Sequence, residues 1–367
     1  MDNMAIEEAV ETARQIRSGA VDVLADQNQL RAKVRHNGRI GLHLTGDGSS
    51  NCEIVGSPDR LPAKNFDATD IELSPTATRQ VAVAAGIPIP YWKRCEDSDP
   101  QMLVDHVNHW LPQSASRRMV RMATSFYGTR GGTQYGPQYC RAFLSDKYMP
   151  VDSADILDQI WRNLHDRSDD STPWRVHIDE DGLNFSSHHD LLTREVKESQ
   201  SKVGDIMHGG IRVLNSEVGT GKLVAQLCLY RLVCLNGMTM PIKLGGYARR
   251  HIGLSSAQAL DELNTAVDAI LNGGQFNVAM ERIANAVETK MAKDWIAKLV
   301  KDSSLSEAEE SALLENYGAE ENQNLWGASN SITALAHRTN SVGRKTELET
   351  LGGNLLTSPA FRYLRAA

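Results

Sequence analysis

The stretch that decides the fold is residues 211–238, which read IRVLNSEVGTGKLVAQLCLYRLVCLNGM. Two runs rich in Leu, Val, Ile and Tyr flank the short segment Gly219-Thr220-Gly221. A short glycine-containing segment between two such runs is typical of a β-hairpin. The sequence therefore predicts two antiparallel strands that are joined at these glycines.

The same segment also invites comparison with a phosphate-binding P-loop, because Gly221-Lys222 matches the end of that motif. The P-loop requires a glycine five residues before Gly221 and a hydroxyl residue after the lysine, but Ser216 and Leu223 stand there. In addition, a strand and not a helix pattern follows the lysine. We therefore do not expect ATP hydrolysis at this loop.

The sequence before this hairpin predicts a second hairpin and a helix. Asp181-Gly182 separates two further short strand candidates, and residues 154–164 (ADILDQIWRNL) have apolar residues at helical spacing. Hairpins with a helix between them indicate an antiparallel sheet with packed helices, because parallel sheets need regular strand–helix alternation. The predicted class is α+β: an antiparallel hairpin-rich sheet with packed helices, followed by a helical C-terminal region.

The chain of 367 residues exceeds the length that one core usually spans, so several structural units are expected. Residues 1–115 are predicted to form a mixed, largely helical N-terminal region. Residues 116–252 are predicted to form the α+β core with the antiparallel sheet, and residues 253–367 a helical C-terminal region. Apolar stripes at helical spacing in this last segment support the assignment.

Charge and hydropathy restrict the classes of function. The net charge of −7 argues against a protein that coats nucleic acid by bulk charge, although a local basic groove is compatible with it. The most apolar window, residues 81–92, is too short to cross a bilayer. The first fifteen residues do not show the basic segment followed by an apolar run that is typical of a signal peptide. We expect a cytoplasmic protein without membrane contact.

Basic, aromatic and glycine residues are interleaved in residues 116–147, SRRMVRMATSFYGTRGGTQYGPQYCRAFLSDK. Cationic groups that neutralise phosphates, together with aromatic rings that stack on bases, bind single-stranded nucleic acid. The competing interpretation is a solvated loop whose arginines pair with acids elsewhere. The predicted nucleic-acid contacts are Arg117, Arg118, Arg121, Tyr127, Arg130, Tyr135, Tyr139, Arg141, Lys222, Lys243, Arg249 and Arg250.

Two alternative functions remain open at this point. Adjacent His188 and His189, with acids nearby, could serve a metal-dependent phosphodiesterase or nuclease, although adjacent residues of a strand point to opposite faces. An acidic surface could instead bind and inhibit a host protein. Its residues would be Glu307, Glu309, Glu310, Glu315, Glu320 and Glu321.

Several stretches resemble a family of phage- and plasmid-borne proteins catalogued as a domain of unknown function. They are RQVAVAAGIPIPYWKR (79–94), LVDHVNHWL (103–111), RAFLSDKYMPVDSADIL (141–157), LNSEVGTGKLVAQLCLYRLVCLNGM (214–238) and LWGASNSITALAHR (325–338). The resemblance implies a mobile-element origin and a shared α+β core.

By analogy of fold alone, a small antiparallel sheet with helices and a basic groove is similar to phage single-strand annealing proteins, which form rings or filaments and act without ATP. The resulting hypothesis is single-stranded DNA binding and annealing in recombination or replication, with self-association and no cofactor.

Overall fold

The computed structural model describes thirteen parts of the chain. They are residues 6–44, 53–55, 70–113, 116–124, 138–165, 174–179, 181–196, 206–231, 236–239, 246–253, 255–290, 305–319 and 323–357.

Within these parts the chain forms two β-sheets and ten α-helices. The strands are β1 (Ala20–Asp26), β2 (Leu30–Val34), β3 (Ile40–Leu44), β4 (Glu53–Val55), β5 (Ile71–Leu73), β6 (Arg117–Thr124), β7 (Gln138–Ser145), β8 (Trp174–Ile178), β9 (Gly182–Glu195), β10 (Ile206–Ser216), β11 (Leu223–Arg231), β12 (Asn236–Thr239) and β13 (Tyr247–Arg249). The helices are α1 (Ile6–Ser18), α2 (Pro75–Ala84), α3 (Ile89–Ser98), α4 (Pro100–Trp110), α5 (Ser153–His165), α6 (Ser256–Leu271), α7 (Gly274–Glu288), α8 (Glu307–Ala319), α9 (Leu325–Leu335) and α10 (Val342–Leu355).

The first sheet has seven strands in the order β2-β3-β5-β7-β6-β1-β4. Only the β5–β7 pair among these is parallel. Helices α2, α3 and α4 cover one face, where Val81, Trp92 and Leu103 pack against strand residues such as Val120. The predicted boundary at 115 falls inside this sheet, because β6 and β7 pair with strands from the N-terminal region.

The second sheet has the order β12-β11-β10-β9-β8, with β13 paired to β11, and all its pairs are antiparallel. The predicted hairpin at Gly219–Gly221 is confirmed as the connection between β10 and β11. The predicted turn at Asp181-Gly182 likewise joins β8 and β9. A side chain at Gly182 would lie 2.1 Å from the carbonyl oxygen of Asn215, so the turn requires glycine.

Helices complete the second core. Phe185, Ile211, Val213 and Leu227 form the apolar face of the second sheet, in one cluster with residues of α1, α5 and α6. Helices α9 and α10 pack on each other and against β12. The predicted α+β class is therefore confirmed, including the antiparallel hairpins and the helical C-terminal region.

Arg121 connects the two sheets. Asp22 of β1 is its cross-strand neighbour and accepts a hydrogen bond from its Nε at 2.8 Å. Its Nη2 lies 3.1 Å from Asp152, just before α5, and its Nη1 donates to the carbonyl oxygen of Glu217 at 2.6 Å. Burial lowers the pKa of Arg121, but the surrounding carboxylates more than offset this and hold it well above its ordinary value.

Arg141 extends the connection. The β6–β7 register skips this residue, since Arg121 pairs with Ala142 and Met122 with Cys140. Its guanidinium forms an ion pair with the Glu217 carboxylate, whose other oxygen accepts the backbone N–H of Ser153 at 2.7 Å. We call Arg121, Arg141, Asp22, Asp152 and Glu217 the junction network.

We expect Glu217→Gln to lower the free energy of unfolding by about 3–5 kcal/mol, because it leaves the buried Arg141 without its carboxylate. Urea denaturation measures this loss. Glu262→Gln is the matched control, since its partner Arg249 is exposed and a solvated pair contributes little. Equal losses in the two variants would contradict the structural role of the network.

Candidate functional site

A pocket of about 310 Å³ lies at the tip of the β10–β11 hairpin. The end of β7 and Tyr148 form one side of it. The turn residues 219–222 form a second side, and residues 250–252, which follow β13, form a third. The pocket therefore lies where the first sheet meets the second, next to the junction network.

The turn that borders the pocket is held in place by hydrogen bonds. Ser216 Oγ accepts the backbone N–H of Thr220 at 3.0 Å, and Gln80 of α2 donates to the Val218 carbonyl oxygen at 2.7 Å. Gly219 has a φ of 76°, and a side chain there would lie 2.5 Å from Leu144 Cδ2. The turn is therefore rigid, and glycine is required at this position.

The turn and its neighbours present groups that attract anions. In the described parts of the chain, the N–H groups of Gly219 and Gly221 take part in no hydrogen bond. The side chains of Lys222 and Arg250 are exposed and form no ion pair with any described carboxylate. Backbone N–H groups of a glycine turn beside two cations form an anion-binding concavity.

His251 forms part of the inner wall, and its surroundings favour the neutral imidazole. Burial lowers its pKa, and Arg121 lowers it further, although the Met149 carbonyl oxygen 3.3 Å from Nδ1 acts in the opposite direction. The ring stacks on Tyr148, whose hydroxyl donates to the Ser216 carbonyl oxygen at 2.8 Å. The positive charge of the pocket thus comes from Lys222 and Arg250.

The structure describes eight of the twelve predicted nucleic-acid contacts, and two of them, Lys222 and Arg250, line the pocket. Arg118 pairs across the strands with Ser145, a residue of the pocket wall. It forms no ion pair within the described parts, and burial lowers its pKa. Its guanidinium lies over the ring of Phe143, 5.7 Å from the centroid and on the face of the first sheet that packs against α2–α4, and its role as a nucleic-acid contact stays a prediction.

The other described candidates have different positions. Arg121 and Arg141 are buried in the junction network, and Tyr139 is fully buried, so none of the three has a surface for a phosphate or a base. We correct their assignment: they stabilise the interior. Arg117 lies 3.8 Å from Asp26, and Arg249 pairs with Glu262 at 3.1 Å. Four candidates fall outside the described residues, namely Tyr127, Arg130, Tyr135 and Lys243.

The two histidines of the nuclease alternative, His188 and His189, have different surroundings. His188 stacks on Tyr230, whereas the buried His189 lies 3.1 Å from the Ser187 hydroxyl. Among the described residues, no group of three His, Cys, Asp or Glu side chains could hold a metal ion.

One glutamate of the predicted acidic surface forms an ion pair within the chain. Glu309 pairs with Arg344 at 2.7 Å, and this arginine lowers the pKa of Glu309 to about 2. Glu307, Glu310 and Glu315 lie on α8. Glu320 and Glu321 lie outside the described residues.

A family model described as "Domain of unknown function (DUF932)" matches residues 142–355, which is more than half of the chain. The chain belongs to the DUF932 family. No curated protein and no solved structure matches it. The whole pocket lies inside the DUF932 segment, as do Asp152 and Glu217, whereas Arg121 and Arg141 precede it.

None of the helices that the structure describes is long and apolar enough to cross a membrane.

We expect Gly219→Ala to destabilise this DUF932 protein more than Gly38→Ala. Both glycines have nearly the same positive φ, 76° and 77°, so the backbone strain is matched. Only at Gly219 does the added methyl group meet a neighbour, Leu144, since nothing lies within 4 Å of that position at Gly38. Thermal denaturation of both variants measures the difference, and equal shifts in Tm would show that the contact with Leu144 contributes nothing.

Proposed function

We propose that this DUF932 protein binds nucleic acid, with single-stranded DNA as its ligand, and that a backbone phosphate occupies the hairpin-tip pocket. The observation that carries the proposal is the Gly-Thr-Gly-Lys turn. Its Gly219 and Gly221 N–H groups donate to no acceptor in the described residues, and they lie beside Lys222 and Arg250, which pair with no described carboxylate. A phosphodiester offers acceptor oxygens to all of these donors.

The size and lining of the pocket favour a single strand over a duplex. Its volume lies at the lower end of the roughly 300–1,000 Å³ found for ligand pockets, which suits about one nucleotide unit. Leu144 and the half-exposed Ile252 supply apolar surface beside the cations. A base or sugar of an unpaired strand would pack there while its phosphate contacts Lys222 and Arg250.

The proposed binding requires no ATP. Leu223 stands where a P-loop has the hydroxyl residue that holds magnesium, and this leucine is buried. The turn continues directly into β11, so a strand follows it in place of the helix whose N-terminus holds the phosphate in a P-loop. The pocket therefore fits phosphate binding without nucleotide hydrolysis.

The proposal also includes self-association. A single pocket with two cations binds few phosphates and gives weak affinity alone, whereas several linked copies along one strand multiply their affinities. Together with the resemblance to phage- and plasmid-borne proteins, this favours a cytoplasmic role in annealing, recombination or replication of a mobile element.

We expect the double variant Lys222→Ala/Arg250→Ala to bind a fluorescent single-stranded oligonucleotide at least tenfold more weakly than the wild type. The slope of log affinity against log salt should fall by about 0.7 for each phosphate that the variant no longer neutralises. Arg249→Ala is the matched control, because this neighbouring arginine is already paired with Glu262, and its affinity should stay within about twofold of the wild type.

Fluorescence anisotropy over a salt series measures both quantities. A flat salt response, or an equal loss in the control, would contradict binding at this pocket. Equally tight competition by a mononucleotide would show that the ligand is a small molecule and not a strand.

A further inference from the structure

The second sheet carries a row of polar residues on the face away from its apolar core. Arg175 of β8 and Arg212 of β10 are both cross-strand neighbours of Ser186 of β9. Directly opposed residues share one face of a sheet, so the two arginines flank the serine on a single face. Their sequence neighbours Val176 and Val213 point to the other face and are buried in the core.

Helix α10 lies over this row. Glu349 of the helix forms an ion pair with Arg212, and Asn184 Nδ2 donates to Thr346 Oγ1 at 3.4 Å. These contacts place the preceding residue of α10, Lys345, close to both arginines. Burial lowers the pKa of Lys345, and the charges of Arg175 and Arg212 lower it further, whereas Glu349 raises it.

The charges in this layer do not balance. Among the described residues of this layer, the three cations Arg175, Arg212 and Lys345 accompany a single carboxylate, Glu349, which forms its ion pair with Arg212. In the parts of the chain that the structure describes, neither Arg175 nor Lys345 forms an ion pair, and both are half-buried. Two uncompensated positive charges in a partly desolvated layer are unfavourable unless an anion joins them.

Tyr230 belongs to the same polar layer and contacts Arg175. Arg175 lies over its ring, with 5.7 Å from the guanidinium carbon to the ring centroid. The buried hydroxyl approaches the side chains of Cys228 and Ser186 without a well-aligned hydrogen bond. Burial raises the pKa of this tyrosine strongly, so its hydroxyl remains a protonated donor.

We propose that the layer between the second sheet and α10 is a second anion site, in which Arg175 and Lys345 bind a phosphate group that carries two negative charges. Two free charges match a dianion, and guanidinium and ammonium groups are the usual partners of phosphate. The site shares no residue with the hairpin-tip pocket, so it goes beyond the function proposed above. The phosphate belongs to a small phosphorylated molecule or to the phosphorylated end of a strand.

Thermal denaturation in inorganic phosphate tests this site, with chloride at equal ionic strength as the reference. The measurement uses the Lys222→Ala/Arg250→Ala background, so that phosphate in the hairpin-tip pocket does not contribute. Phosphate should raise Tm in this background, and adding Arg175→Gln and Lys345→Met should abolish the rise. The same rise with and without these two substitutions, or no rise in the background, would overturn the proposal.

A second readout covers the case in which the added substitutions impair folding. Lys345→Met alone should be at least as stable as the wild type without phosphate, because it removes a half-buried unpaired charge. A clear loss of stability in chloride would contradict the charge imbalance.

A third comparison separates the two sources of phosphate. A 5′-phosphorylated oligonucleotide that raises Tm more than its 5′-hydroxyl twin, in the same background, identifies a strand end. Equal effects of the two oligonucleotides, with a retained response to inorganic phosphate, identify a small phosphorylated molecule.

Discussion

The guanidinium of Arg121, which has no exposed surface, is the constraint on which the arrangement of the chain depends. Its three oxygen partners come from β1, from the residue before α5 and from the turn at Glu217. Removal of the Asp22 or Asp152 carboxylate leaves the buried charge only partly compensated, and loss of the Glu217 carbonyl leaves a buried N–H without its acceptor, so the positions of these three segments are interdependent. Since Arg121 and Arg141 precede the DUF932 segment and Glu217 lies in it, the network fastens the N-terminal sheet to the family domain.

Local signals in the sequence predicted a large part of the fold. Asp181-Gly182 and Gly219–Gly221 correctly indicated hairpins, because a turn is specified by a few adjacent residues. The first sheet was not predicted as a unit, because its strands pair across long stretches of chain and β6 lies in the segment interpreted as a nucleic-acid surface. The roles of Arg121 and Arg141 could not be predicted, because their partners lie 31 to 99 residues away along the chain.

The distribution of charge makes the two proposed anion sites compatible with a net charge of −7. Lys222 and Arg250 stay unpaired at one end of the second sheet, whereas Arg175 and Lys345 stay unpaired on its polar face, within the parts of the chain that the structure describes. Both groups lie in the DUF932 segment. The local charge around Lys222 and Arg250 is visible in the sequence, whereas Arg175 and Lys345 come close only because α10 packs over β9 and β10. Local patches of this kind decide binding more than net charge does.

Hydrogen exchange at the Thr220 amide tests most directly whether the junction network fixes the turn. This amide donates to Ser216 Oγ within the turn, while Asp22 lies far away in sequence and contacts Arg121. The account predicts that Asp22→Asn speeds exchange at Thr220 at least tenfold more than at the Ala328 amide of α9, whose change measures the loss of global stability. Unchanged protection at Thr220 in this variant would contradict the account.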